Sequence, residues 1–65
     1  MKEYRADQIG DIVEHMRTQQ ENFIVWEDYS GNDNTDTIRS MISKYNLPYT
    51  NNGCFMGAHA WSYKA

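Results

Sequence analysis

The sequence predicts a small α+β domain, mostly helical, closed by a C-terminal β-hairpin. Two stretches carry apolar residues at the spacing of an amphipathic helix, and an Asn-Gly pair near the end sits between β-forming residues. With 65 residues the chain makes one domain, 1–65. A domain of this size buries a smaller share of its surface than a typical one, so a homodimer or a bound partner is expected to add stability. The 40% apolar and 14% aromatic content exceeds that of a disordered tail, which predicts folding.

The first helix is ADQIGDIVEHMRTQQ, where Ile9, Ile12, Val13 and Met16 form one stripe. Asp7 is expected to cap it. Asp11 and Glu14 precede Arg17, the order the helix dipole favours. Gly10 weakens the helix unless another backbone packs close to it.

The second helix spans 35–46, with Ile38, Met41, Ile42 and Tyr45 inward, caps available in GNDNT, and Pro48 as its stop. Its outward face offers Arg39, Ser40 and Ser43, with Thr37 and Lys44 at the margins. Between the helices, NFIVWEDYSG supports two readings. Its β-branched and aromatic residues suit a strand, whereas Phe23, Trp26 and Tyr29 recur at helical spacing.

Beyond Pro48, Asn52-Gly53 is a strong hairpin signal because both residues tolerate positive φ. Two strands are expected to meet there, the second running from Cys54 to Tyr63, with Phe55, Trp61 and Tyr63 on one face and Met56 and Ala58 on the other.

Net charge is −3, unevenly distributed. All nine carboxylates lie within the first 36 residues, giving that part −6, and Arg39, Lys44 and Lys64 give the remainder +3. Such asymmetry is a hint of an interaction surface, chance clustering in a short chain being the alternative.

Catalytic chemistry is poorly served. The run DYSGNDNTD alternates oxygen ligands like a calcium loop, but Asp33 and Arg39 stand where such a loop needs glycine and a bidentate glutamate. Cys54 and His59 would point to opposite faces of a strand, with no carboxylate in the C-terminal half to orient a base. One cysteine and two histidines, His15 and His59, fall short of a closed zinc site. No glycine-rich phosphate loop is present. The expectation is a protein that is not an enzyme, without metal or cofactor. Trp26, Trp61, Tyr49 and Tyr63 serve either the core or a binding surface, at least one tryptophan being expected in the core. No apolar run approaches a membrane span, and MKEYRADQIGD lacks a signal-peptide core, so a cytoplasmic protein is expected.

Taken in order, the elements resemble a winged helix-turn-helix DNA-binding domain. The segment TIRSMISKYNLPY followed by Gly53 looks like the recognition helix and wing entry of excisionase-like regulators. The resemblance implies double-stranded DNA as partner, with Arg39, Ser40 and Ser43 facing bases, Thr37 beside them, and Lys44, Asn51, Asn52 and Lys64 on phosphates or in the groove. It departs from the family in its acidic balance and in the longer, more acidic turn GNDNTD. Size, acidity and aromatic content also fit an acidic inhibitor or adaptor acting on a host protein, of the kind viruses and mobile elements encode.

Overall fold

The structure, a computed structural model, describes residues 1–27, 34–55 and 59–65, apart from the side chains of Cys54 and Phe55. Its elements are β1 (Lys2–Arg5), α1 (Ile9–Thr18), β2 (Phe23–Trp26), α2 (Thr35–Lys44), β3 (Thr50–Phe55) and β4 (Ala60–Lys64). The strands form one sheet in the order β1-β2-β4-β3. β1 is parallel to β2, and β4 is antiparallel to both of its neighbours. It follows that β1, β2 and β3 all run one way. α1 and α2 each cross over between two of these parallel strands, so both helices run back along the sheet in the same direction.

Register fixes which side chains meet the helices. Phe23 sits opposite Tyr63, while Val25 sits opposite Tyr4 on one side and Trp61 on the other. These residues share one face, and Ile12 and Met16 of α1 and Ile38 of α2 close on it. Phe23 is the centre of the core. Its ring lies 4.9 Å from His15, 5.1 Å from Tyr63, 5.3 Å from Tyr49 and 5.8 Å from Tyr4 between centroids. Burying this much ring surface with edge-on and stacked contacts compensates for the short chain.

Three polar tips inside the core, those of Tyr4, His15 and Tyr49, are paired. His15 Nε2 lies 2.9 Å from the Glu21 carbonyl, and its Nδ1 lies 2.8 Å from the Tyr4 hydroxyl. A carbonyl only accepts, so the fitting tautomer carries its hydrogen on Nε2 and accepts from Tyr4 on Nδ1. Tyr49 donates to the carbonyls of Gln19 and Glu21, pinning the loop that leaves α1. Both sheet edges are blunted against further pairing. β1 is short and charged, and β3 is interrupted by a bulge between Asn51 and Cys54.

Several expectations need correction. The domain is α+β but not mostly helical: two ten-residue helices accompany a four-stranded mixed sheet. Phe23–Trp26 is a strand, so the tandem helix pair of a winged helix-turn-helix arrangement is not formed there. The β-branched run in the middle of the sheet overrides its weak helical spacing because pairing with strands on both sides buries three of its four residues. The polar turn at 30–34 and the calcium-like run fall largely on residues outside those described, as do Met56 and Ala58.

Asn52-Gly53 does not turn the chain. Asn51 pairs with Tyr63 and Cys54 with Trp61, leaving one extra residue on β3. Gly53 takes φ +91° within this bulge, and its N–H donates to Asn51 Oδ1 at 2.7 Å. The positive φ read from the pair is therefore present, but it bends a strand.

Asp7 is no cap. It pairs with Arg5 at 2.8 Å, and Gln8 occupies the cap position without a side-chain bond to the helix. Gly10 is exposed, and a Cβ there would meet nothing within 4 Å, so no close packing explains it. α2 ends at Lys44, before the expected 46. Tyr45 leaves the buried stripe because the helix stops there and Asn46 adopts φ +52°.

Candidate nucleic-acid interface

The expected contact residues divide between two surfaces. Thr37, Arg39, Ser40, Ser43 and Lys44 are all exposed on α2, so the helix face read from the sequence is free of the core. At its N-terminal end lies Asp36, with a side chain 99% exposed and 4.0 Å from Arg39. The carboxylate reduces the attraction of that half for phosphate and leaves Ser40, Ser43 and Lys44 as the usable part.

Asn52 and Lys64 lie on the sheet face turned away from the helices. There they border a shallow groove of about 240 Å³ with Met1, Ile24 and Ser62. Asn51 is half-buried on the helix side, and its side-chain Oδ1 accepts the Gly53 N–H in the bulge. Among the described residues, Asn52 and Lys64 therefore do not continue the surface of α2. Elsewhere on the uncovered sheet face, Trp26 Nε1 donates to Glu3 Oε1 at 3.0 Å, which occupies that carboxylate.

The topology assembles a different cationic surface. Because the helices run opposite to the three parallel strands, the C-termini of α1 and α2 lie at the end of the molecule where β1 starts and β4 finishes. Lys2, Arg17, Lys44 and Lys64 gather at this end, and Arg17 and Lys44 sit in the last turns of their helices, where the negative dipole ends favour cations. Among the described residues none of the four forms an ion pair. Glu21 shares this end, and Glu3 directly follows Lys2 on β1. Asp7, Asp11, Glu27 and Asp36 occupy the opposite end with Arg5. Charge is thus divided along the molecule, and the division differs from that along the chain, since Lys2 and Arg17 come from the acidic half.

At the end of α2 on this surface is Tyr45, 48% exposed. Arg17 Cζ lies 5.6 Å from its ring centroid and Lys44 Nζ lies 5.4 Å away. Sequence reading assigned Tyr45 to the core and Arg17 to a helix end. No local signal could join them, because the contact depends on both helices crossing the sheet in the same direction.

Among the described residues no group of three or more His, Cys, Asp or Glu side chains is placed to hold a metal ion. Nor is any described helix long and apolar enough to cross a membrane. His59 is exposed, and His15 is enclosed in the core. Compared with known proteins, the chain matches no family model, no curated protein and no solved structure.

Proposed function

We propose that the protein is a small, non-catalytic DNA-binding regulator of the cytoplasm that approaches the duplex with its cationic end. The observation that carries this reading is the gathering of Lys2, Arg17, Lys44 and Lys64 at one end of an acidic molecule. A net charge of −3 repels DNA on average, but a segregated field orients the approach and presents only the favourable end. The Ser40–Lys44 part of α2 then supplies hydrogen-bonding groups without bulk, and the cations contact phosphates. Arg39, with Thr37, stands at the acidic flank and contributes less than an isolated recognition helix would suggest.

The test is affinity for duplex DNA as a function of salt. Each phosphate contact releases condensed counterions, so log K should fall with log salt at a slope of about −0.9 per contact. A flat salt response, or no binding at low salt, overturns the proposal.

The opposite end favours a second reading. Asp7, Asp11, Glu27 and Asp36 form an acidic surface that suits an inhibitor or adaptor docking on a basic host protein. Reversing Asp11 and Asp36 to lysine separates the two readings. That change strengthens DNA binding and abolishes docking on a basic partner.

A further inference from the structure

We propose that Arg17, Tyr45 and Lys44 form a clamp for the phosphodiester backbone of nucleic acid, with the tyrosine ring as its organiser. This rests on the DNA-binding reading and adds Tyr45 to it, as the residue that joins Arg17 of one helix end to Lys44 of the other. Arginine and lysine side chains are long, and fixing them in a complex costs rotamer freedom. Here both heads already rest against one ring, at 5.6 and 5.4 Å from its centroid. They are therefore no more than 11 Å apart, a separation that adjacent backbone phosphates can bridge.

Two cations held on one ring repel each other, and no described carboxylate pairs with either. An anion relieves that repulsion. The phenol of Tyr45, on the half-exposed ring, adds a donor suited to a phosphate oxygen. The ring itself is occupied by the cations, so the clamp favours backbone contact over base stacking and predicts little dependence on base sequence.

The experiment is a salt-dependent titration of a labelled duplex by fluorescence anisotropy, using the full chain and the variants Arg17→Gln, Tyr45→Leu, Lys64→Gln and their pairs. Unchanged amide spectra and thermal midpoints establish that each variant is folded. Arg17→Gln should weaken binding about tenfold in low salt and reduce the salt slope by about 0.9. Tyr45→Leu keeps every charge, so its slope stays unchanged while affinity falls by several-fold. In the Tyr45→Leu background Arg17→Gln should cost less than in the native chain, whereas Lys64→Gln, outside the clamp, should cost the same in both.

Duplex binding with native affinity in Tyr45→Leu, or full additivity with Arg17→Gln, overturns the clamp and leaves the DNA-binding reading standing. Absence of duplex binding at low salt removes both. Amide shifts at Arg17, Lys44 and Tyr45 with inorganic phosphate but not with duplex overturn the assignment to nucleic acid.

Discussion

Phe23 and Tyr45 are both aromatic residues ringed by others, yet their surroundings differ in kind. Around Phe23 stand Tyr4, Tyr49, Tyr63 and His15, and the polar tips of Tyr4, His15 and Tyr49 are turned to hydrogen-bond partners. Around Tyr45 stand a guanidinium, an ammonium and solvent. The first arrangement is closed within the chain, its histidine and two of its three phenols bonded to other protein groups. The second leaves charge without a counterpart, which is the physical difference between a residue that holds a fold and one that offers a surface.

The sharpest break in this comparison is Phe23→Ala. Removing a fully enclosed ring should cost about 3–5 kcal/mol. Domains are stable by only about 0.05–0.15 kcal/mol per residue, so the variant should lose most of its cooperative urea transition, followed by circular dichroism. A near-native midpoint would show that the ring cluster does not dominate stability.

His15→Leu is the next test. The leucine fills space but leaves the Tyr4 hydroxyl without its acceptor and the Glu21 carbonyl without one of its donors. An unsatisfied buried group costs about 1–3 kcal/mol, so the unfolding midpoint should fall by less than in Phe23→Ala but clearly. Stability equal to the native protein would mean that His15 acts only as a packing residue.

The buried phenols also give a pH test. Burial raises the Tyr4 pKa above the ordinary tyrosine value of about 10, and the Asp11 charge adds to this. Burial likewise raises that of Tyr49. Below that ordinary value both folded and unfolded chains keep these protons, and their contribution is fully present. As pH rises above about 10 the unfolded chain ionises first, so stability declines until the folded values are passed. Chemical unfolding from pH 8 to 12 should show a midpoint falling only in the alkaline part of the range, and a flat profile would contradict the burial of these hydroxyls. The decline should be shallower in Tyr49→Phe.

How much of this was legible in the sequence follows from which forces are local. α2 was readable to within two residues because helical spacing and a proline stop act over a few positions. β1 was not, since of its four residues only Tyr4 faces the core and three carry charge. His15 escaped the buried stripe because a histidine reads as polar until its two partners, from β1 and from the loop after α1, are known. The exposed face of α2 was visible in advance. The cationic end was not, because it arises from parallel strands bringing Lys2, Arg17, Lys44 and Lys64 together from distant positions. Adding charges along the chain placed two of them in the wrong half.

The smallest effect on stability, and the most informative one, is expected from Tyr45→Leu. Exposed cation–π contacts contribute about 0.5–1 kcal/mol each, and part of that is offset by the repulsion between Arg17 and Lys44 that the ring enforces. Surface substitutions of this kind usually stay within about 0.5 kcal/mol, so the urea midpoint should barely move. Duplex affinity should nevertheless fall, because both cations must then be ordered by the ligand itself. A residue whose loss leaves the fold intact and weakens binding without changing the salt slope acts by holding charge in place. A large drop in stability would instead assign Tyr45 to the same class as Phe23, and the contrast between the two rings would disappear.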